Sequence, residues 1–462
     1  MRRVRLGVAV LTLTAASMPG PPALAAASHP DVWAQRYNGS ANHGDTERDI
    51  ALSPDGSLIF VTGGSAETGT HKDITTIAYD SRTGEQVWMH SYDGPDHRRD
   101  IGNAVTVSPD GSALYVTGAS LSSPKRSANV TLAFDSVTGA ELWISRLQGG
   151  YRNGPHTIDT SPDGRQVFVA GISDDRSRHA AVAYDAATGE ELWLASYHRR
   201  YSTATAISAS PDGSSVVVTG GTSSAESGHP MVTVAYDAAT GEAKWINKLS
   251  PAWAEDVAFS PDSNVVYVAG GIDAGDNGDM VILAIDVEAG TKLWQRRYVG
   301  SNGRGDGASA ITVSPDGASV FVTGTTLAAP GSWFDYATVA LNSDGSVLWS
   351  RRYNGPSSGY DFGTAIATSP DGARVFVTGT SQDFGSSGDE DDRDWATLAY
   401  DAAVGTRLWT ARYDGSADYQ NIIHDHAASI VVSPDGMHVF VGGSSVGIDS
   451  GDDYATVAYA TE

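Results

Sequence analysis

One tripeptide recurs along this chain at a nearly constant interval. Ser-Pro-Asp occurs eight times, and glycine follows seven of the copies; the serines are Ser53, Ser108, Ser161, Ser210, Ser260, Ser314, Ser369 and Ser433. Proline presets φ, aspartate accepts hydrogen bonds from its own backbone, and glycine tolerates positive φ, so the motif predicts a hairpin turn. A repeat of about 54 residues predicts one supersecondary unit used many times.

Each repeat predicts four short strands, which we call a, b, c and d. Strand a precedes Ser-Pro-Asp. Strand b is the alternating β-branched and aromatic run that follows, as in Leu58 to Gly63, and strand c is a second such run, as in Tyr336 to Ala340. Strand d carries the tryptophan of an Asp-x-x-Thr-Gly-x-x-x-Trp pattern, as from Asp80 to Trp88. Four period-two strands bounded by turn residues are typical of a β-propeller blade.

The number of repeats and the two chain ends predict how the ring closes. Eight tryptophans occupy the strand-d position: Trp33, Trp88, Trp143, Trp193, Trp245, Trp294, Trp349 and Trp409. Trp33 has no strands a to c before it, and the run 453–459 is a strand c with no strand d after it. The sequence therefore predicts an all-β, eight-bladed propeller with four antiparallel strands per blade. The N-terminal strand pairs with the last blade, which removes an open sheet edge.

The N-terminal residues differ in character from the repeats. Three arginines among the first five residues precede an apolar stretch at 6–16, and a small-x-small site follows at 23–25. This order predicts a signal peptide over residues 1–27 and a single propeller domain over residues 28–462. We therefore expect a secreted protein, either extracellular or associated with the cell envelope.

Composition restricts the classes of chemistry and partner. The chain has no cysteine, which excludes disulfides, a cysteine nucleophile and thiolate metal ligands. A net charge of −25 repels nucleic acid and anionic lipid. No later stretch is apolar enough to predict membrane insertion. We expect a monomer with no nucleic-acid partner.

Two repeat families resemble this chain over nearly its whole length after the N-terminal segment. The Asp-x-x-Thr-Gly-x-x-x-Trp pattern resembles the repeat of quinoprotein-type propellers, in which the tryptophan docks neighbouring blades. The fuller unit from Tyr353 to Thr397 is similar to bacterial secreted propeller repeats of the SBBP type. The resemblance implies pyrroloquinoline quinone (PQQ) only if its site is present too. The vicinal cysteine pair of the large quinoprotein alcohol dehydrogenases is absent here, but cysteine-free quinoproteins exist. PQQ and calcium both stay open as cofactors.

Carboxylates recur where strand a begins, eight residues before the serine of the turn. They are Asp45, Asp100, Asp306, Asp361 and Asp425. The inner ends of strand a line the mouth of a propeller's channel, where these groups would bind a cation or a polyol, or act as acid and base if crowding splits their pKa values. The alternative is that each aspartate caps the turn that leads into strand a.

A denser polar cluster, His424, Asp425 and His426, precedes the last strand a. Two histidines beside an aspartate suit metal binding or proton transfer. Comparable places in other blades hold His156, Trp253, Glu255 and Asp256. The alternative for all of them is a set of polar residues in a wet channel. Aspartate-rich segments at 273–279, 389–394 and 449–453 suggest calcium, but none follows the EF-hand register.

The hairpin turns hardly vary, whereas the segments between strands b and c vary in length and composition. Variable loops on a fixed scaffold are the usual location of function. The leading hypothesis is an exported, non-catalytic propeller that binds a protein, a glycan or another small-molecule or envelope component on this face. The alternative is an enzyme at the channel mouth, either a quinoprotein-like oxidoreductase or a lyase or hydrolase that uses the aspartates and histidines named above.

Overall fold

The computed structural model describes residues 29–69, 71–123, 126–150, 156–171, 179–197, 202–222, 229–273, 278–300, 305–327, 333–383, 392–415, 423–447 and 450–462. The predicted signal peptide lies outside these residues. Within them the chain forms eight antiparallel sheets, each a blade of four consecutive strands apart from the last. The prediction of an eight-bladed β-propeller is confirmed.

The first four complete blades follow one another along the chain. Blade I contains β2 (Thr46–Leu52), β3 (Leu58–Ala66), β4 (Lys72–Asp80) and β5 (Gln86–Tyr92). Blade II contains β6 (Asp100–Val107), β7 (Ala113–Ser123), β8 (Arg126–Asp135) and β9 (Glu141–Gly150). Blade III contains β10 (Thr157–Thr160), β11 (Gln166–Ala170), β12 (Ala180–Asp185) and β13 (Glu191–Ser196). Blade IV contains β14 (Ser202–Ala209), β15 (Ser215–Thr222), β16 (Met231–Asp237) and β17 (Ala243–Leu249).

The remaining blades complete the ring. Blade V contains β18 (Ala252–Phe259), β19 (Val265–Asp273), β20 (Gly278–Asp286) and β21 (Lys292–Tyr298). Blade VI contains β22 (Gly307–Val313), β23 (Ser319–Leu327), β24 (Phe334–Asn342) and β25 (Val347–Tyr353). Blade VII contains β26 (Asp361–Thr368), β27 (Arg374–Asp383), β28 (Asp392–Asp401) and β29 (Arg407–Tyr413). Blade VIII contains β31 (His426–Val432), β32 (His438–Gly447), β33 (Gly451–Ala460) and the N-terminal β1 (Asp31–Tyr37).

The N-terminal strand closes the ring as the two chain ends predict. β1 pairs antiparallel with β33, and Trp33 lies opposite Ala458. The sheet order β1-β33-β32-β31 makes β1 the fourth strand of blade VIII. His29, just before β1, stacks on the ring of Trp409 in blade VII, with 4.6 Å between centroids.

One element has no counterpart in the predicted repeat. The two-residue β30 (Ile423–His424) pairs in parallel with β28 of blade VII. β30 ends at His424 and β31 begins at His426, with Asp425 between them. The two histidines therefore lie in two separate strands that belong to different sheets.

The strand-d tryptophans hold neighbouring blades together, as the quinoprotein-type resemblance implies. Each donates from Nε1 to a backbone carbonyl in or near the turn that follows strand c of the next blade, at 2.6–3.1 Å. The glycine of that turn is required by the close approach. Gly84 has φ +72°, and a Cβ there would lie 2.8 Å from the Trp33 ring.

The core is distributed between the blades. One buried cluster joins Tyr115 and Trp143 of blade II to Val169 and Tyr184 of blade III, and similar clusters join the other neighbours. Most of the hydrophobic stabilisation therefore depends on each blade having a neighbour on both sides. In the described part of the chain, no helix has the length and hydropathy that a membrane span requires.

Candidate binding face

The five predicted strand-a carboxylates share one structural role. They are Asp45, Asp100, Asp306, Asp361 and Asp425. All five are buried. Each accepts a hydrogen bond, at 2.5–2.7 Å, from the backbone nitrogen of the glycine that follows strand d of the preceding blade. We call this arrangement the clasp. It corresponds to the turn-capping alternative, with the added feature that the capped turn leads out of the neighbouring blade.

The second oxygen of the clasp binds the aspartate's own blade. Oδ1 of Asp45 accepts from the Ala66 nitrogen at 2.7 Å, and Oδ1 of Asp425 accepts from the Val446 nitrogen at 2.9 Å. In Asp306 the donor is a strand-b hydroxyl. The clasp therefore joins strand d of one blade to strand b of the next. We call the contact between two neighbouring blades a seam, and each clasp lies in one.

Burial raises the pKa of all five clasp carboxyls. The pKa of Asp361 and of Asp425 rises to about 6, chiefly through desolvation, with hydrogen bonds from serine hydroxyls and glycine nitrogens acting in the opposite direction. Each clasp belongs to a different seam, so the five carboxylates do not converge on one centre. Acid–base catalysis needs carboxyls that face one substrate, and this arrangement supplies hydrogen bonds to backbone instead.

A second set of strand-a aspartates connects neighbouring strands a around the channel. Asp256 accepts from the Ile311 nitrogen at 2.9 Å and from the Val257 nitrogen at 2.8 Å, which links blade V to blade VI. Asp49 links blades I and II in the same way, and Asp159 links blades III and IV. Burial raises the pKa of Asp49 to about 7 and that of the other two to about 6. Of the three, only Asp256 was among the predicted site residues.

The remaining predicted site residues are scattered around the loop face. His426 is exposed, and its Nδ1 lies 2.7 Å from the Thr380 hydroxyl of blade VII. His156 is exposed in front of β10, and its backbone nitrogen donates to Ala170. The side chain of His424 lies outside the described residues. The predicted histidine cluster is therefore represented by His426 alone.

Trp253 and Glu255 lie at the start of β18. Trp253 is 38% exposed, and its ring lies so close to Gly271 that a Cβ there would approach within 2.1 Å. Burial and the neighbouring Asp256 raise the pKa of the Glu255 carboxyl. The two residues form a local apolar and acidic pair at the channel mouth of blade V.

Four aromatic rings form a cluster on the same face, where blades VI and VII meet. Trp333 and Phe334 lead into β24, and Tyr360 and Phe362 lie at the start of β26. The centroid distances are 4.4 Å for Trp333–Tyr360, 5.8 Å for Tyr360–Phe362 and 5.9 Å for Phe334–Phe362. Trp333 is 44% exposed, and the other three are partly exposed. We call this set the aromatic patch.

The backbone under the aromatic patch is fixed. The Tyr360 nitrogen donates to Gln382 Oε1 at 3.0 Å, and the Gln382 nitrogen donates to the Tyr360 carbonyl at 2.8 Å. Gln382 is 3% exposed. Anchored aromatic side chains lose little conformational freedom on binding, which favours affinity.

Comparison with known proteins places this ring in a family. Residues 126–196 and 177–436 match the family model described as outer membrane protein assembly factor BamB. The chain belongs to this family of PQQ-like propeller repeats. No curated protein matches the chain.

Solved structures share the fold of this BamB-type propeller. Sqt1 from Chaetomium thermophilum has 13% sequence identity and a TM-score of 0.60, over 94% of this chain and 98% of that one. A structure of the same protein bound to the N-terminus of the ribosomal protein L10 has the same identity and TM-score, over 92% and 98%. At this level of identity the likeness shows the fold alone.

The residues predicted as a site do not fit PQQ. Seven are carboxylic acids, and six of these accept backbone hydrogen bonds in clasps or channel links. An anionic quinone requires cationic or neutral donors at such positions. No step of a reaction is assigned to this cofactor.

The aromatic patch of the BamB-type propeller was not predicted from the sequence, although one feature of the sequence pointed to it. The chain has eleven tryptophans, and eight of them occupy strand d. The three surplus tryptophans are Trp253, Trp333 and Trp395. Two of these are exposed on the loop face, and only Trp395 is buried. An aromatic residue that the repeat does not need is a better indicator of a binding surface than an aspartate that the repeat uses five times.

Proposed function

We propose that this chain is an exported, non-catalytic propeller that binds a protein segment, a glycan or another cell-envelope component across its loop face. The observation that carries the proposal is the aromatic patch. It presents partly exposed rings on a fixed backbone, while six of the predicted carboxylic acids accept backbone hydrogen bonds in the clasps and channel links. Tryptophan and tyrosine are enriched among the residues that dominate binding energy in interfaces.

Two further facts support a binding role. The family model that matches the chain is that of an assembly factor, BamB. A propeller of the same fold, Sqt1, is known bound to the N-terminus of a ribosomal protein. Export is supported by the arginine-rich and apolar order of residues 1–27, which is typical of bacterial secretory signals.

The net charge favours some partners over others. At −25 the surface repels acidic polymers, so the proposal favours neutral glycans and neutral or basic protein segments. A partner that places an apolar side chain or a sugar face on Trp333 and Tyr360 would bury surface that is now exposed.

The proposal is tested with a displayed peptide library and a panel of immobilised neutral polysaccharides. The double variant Trp333→Ala/Tyr360→Ala is expected to weaken the best binder at least tenfold, since two anchor aromatics each contribute about 1–3 kcal/mol. The variant should still fold cooperatively, with a modest fall in melting temperature, because Trp333 is 44% exposed and Tyr360 is partly exposed.

Met437→Ala is the matched control. Met437 is 61% exposed and lies in a hairpin turn on the opposite face. It should leave binding unchanged. No binder in the peptide library or in the polysaccharide panel, or equal loss of binding in the control and the double variant, would count against the proposal.

A further inference from the structure

Two groups of three aspartates occupy equivalent places in two seams. One comprises Asp73, Asp93 and Asp100 between blades I and II, and the other comprises Asp394, Asp414 and Asp425 between blades VII and VIII. In each group, every residue offers one carboxylate oxygen, and the three oxygens lie within 4.8 Å of one another. The strand register confirms the equivalence, because Asp73 lies opposite Ser65 and Asp394 lies opposite Ser381.

The two triads differ at one position of strand d. In blade VII this position is Arg412, which lies opposite Ala396, and in blade I it is Ser91, opposite Thr75. Arg412 donates to Asp394 Oδ2 from Nε at 3.1 Å and from Nη2 at 2.5 Å. Arg412 therefore neutralises one carboxylate of the second triad, and the first triad has a serine in its place.

Five blades carry an aspartate at this position of strand c, and four of them have an arginine at the facing position of strand d. Arg352 lies 3.0 Å from Asp335 in blade VI, and Arg36 lies 3.2 Å from Asp453 in blade VIII. Arg297 pairs with Asp279 in blade V. Each arginine has the same register relative to its aspartate as Arg412. Among these five blades, only blade I has a serine, Ser91, in place of the arginine. In this blade two further carboxylates, Asp93 and Asp100, lie close to the strand-c aspartate.

A buried oxygen in the first triad is available to a ligand. Asp100 is fully buried, and its Oδ2 accepts from the Gly94 nitrogen. Its Oδ1 accepts no hydrogen bond of normal geometry, although the Ser120 hydroxyl lies beside the carboxylate. The corresponding Oδ1 of Asp425 accepts from the Val446 nitrogen. A buried carboxylate oxygen that lacks a backbone donor is incompletely satisfied, and a cation or a proton beside it lowers the cost of its burial.

Two further basic side chains, His97 and Arg146, lie near the first triad. His97 Nδ1 lies 2.5 Å from Asp93 Oδ2 at the exposed edge, where the His97 ring is 73% exposed. Arg146 of blade II donates to the hydroxyls of Ser120 and Tyr92. Its counterpart at the second triad is Arg36, which donates to Ser445. The neighbouring blade therefore supplies one arginine to each triad, and Arg36 also pairs with Asp453. What differs is the position in strand d of the triad's own blade, which holds Ser91 in blade I and Arg412 in blade VII.

We propose that Asp73, Asp93 and Asp100 bind one calcium ion in the seam between blades I and II, where the ion replaces the arginine of the other blades. Three oxygens this close together suit Ca–O distances of about 2.3–2.6 Å. An all-oxygen, carboxylate-rich set favours a hard cation over zinc or copper. Water completes the coordination on the exposed side. The ion joins two strands of blade I to strand a of blade II, so its role is to stabilise the seam, independently of what the loop face binds.

Isothermal titration of the chelator-treated full chain with calcium chloride tests this proposal. The parent should bind one ion per chain at micromolar to millimolar calcium, and its melting temperature should rise with calcium. Ser91→Arg and Asp93→Asn should each weaken binding at least tenfold and abolish the calcium-dependent rise. Asp414→Asn, in the arginine-bearing triad, is the matched control and should bind calcium as the parent does.

Circular dichroism of each variant shows whether it is folded, and Asp93→Asn, at a partly exposed residue, provides the test if Ser91→Arg does not fold. Two results would overturn the proposal. One is a parent that takes up no calcium at millimolar concentration. The other is calcium binding that Ser91→Arg and Asp93→Asn leave unchanged.

Discussion

The two faces of the propeller use aspartate in opposite ways. On the hairpin face, the aspartate of each Ser-Pro-Asp turn is exposed to solvent. The Ser314 hydroxyl donates to Asp316 Oδ1 at 2.6 Å and, with the Ala318 nitrogen, lowers the pKa of that carboxyl. On the loop face, burial raises the pKa of the clasp carboxyls, to about 6 at Asp361. One residue type therefore has a lowered pKa on one face and a raised pKa on the other.

The difference shows which face the repeat keeps nearly the same in every blade. All eight turn aspartates have lowered pKa values and similar turn geometry. On the loop face the repeat supplies only the clasps, and the residues between them differ from blade to blade. A partner that recognises this protein specifically needs the face that is not eightfold repeated.

The largest loss of stability is expected from opening the ring, because both faces depend on the closed set of eight blades. Deleting residues 31–39 removes β1, the Trp33 hydrogen bond to blade I and the Arg36 contacts with blade VIII. The exposed edge of β33 should then cause association or unfolding. Light scattering and circular dichroism measure this, and removal of residues 1–27 is the control. A monomeric deletion variant with the parent's melting temperature would contradict the account of closure.

The seam between blades VIII and I should show the next largest effect. Glu47 is buried in strand a of blade I, at a position that holds glycine or alanine in the other blades where it is described. Its side chain faces Gly442 in strand b of blade VIII, and the equivalent strand-b position is threonine in several other blades. Its carboxylate accepts from the Thr456 hydroxyl at 3.4 Å. Glu47→Ala leaves a cavity beside Gly442 and should lower the free energy of unfolding by about 2 kcal/mol. Adding Gly442→Thr should recover part of the loss, which urea unfolding will measure.

The Glu47 carboxyl also gives this seam a pH dependence. Burial holds its folded pKa well above the usual value. The protonated form therefore stabilises the fold, and this contribution is lost as pH rises from about 4.3, the unfolded value, through the folded pKa. Glu47→Gln should remove that part of the decline. Two results would show that the seam is stabilised by other contacts. One is a Glu47→Ala/Gly442→Thr variant that is as unstable as Glu47→Ala. The other is a pH dependence of stability that Glu47→Gln leaves unchanged.

The pH dependence of stability should differ, by a smaller amount, between the clasp aspartates and the Ser-Pro-Asp turn aspartates. The raised pKa of Asp361 means that its contribution is present below about pH 4 and is lost as pH rises through about 6. The lowered pKa of Asp316 means that its contribution is present above about pH 4 and is lost as pH falls through its folded pKa. Asp361→Asn should flatten the stability profile between about pH 4 and 6, by at most ~2 kcal/mol. Asp316→Asn should flatten only the acid side, by less, because water screens it. Thermal unfolding from pH 2 to 8 measures both, and flattening on the same side by both variants would contradict the comparison.

The architecture was predictable because it is periodic. Eight turns, eight tryptophans and two complementary chain ends determine the blade number and the closing strand without knowledge of any contact. The roles of the aspartates were predictable only in part. Their position at the start of strand a was correct, but a clasp joins Asp361 to Gly355 of the preceding blade, and that seam geometry has no signature in local sequence.

Residues that are close only across a seam were not predictable at all. Asp73 and Asp100 lie in different blades, and their proximity depends on strand register and blade stacking. The aspartate-rich segments proposed for calcium contain Asp279, Asp394 and Asp453, and each of these pairs with an arginine of strand d. Trp333 was visible as a surplus tryptophan, but its stacking on Tyr360 requires the fold.

The central claim is that partners bind the loop face and that the hairpin face serves the fold. Hydrogen–deuterium exchange of the full chain, with and without the tightest binder from the peptide and polysaccharide panels, tests it most directly. We expect slower exchange in the segments around Trp333 and Tyr360, and unchanged exchange in all eight Ser-Pro-Asp turns. Protection of the turns, with none around Trp333 and Tyr360, would contradict it.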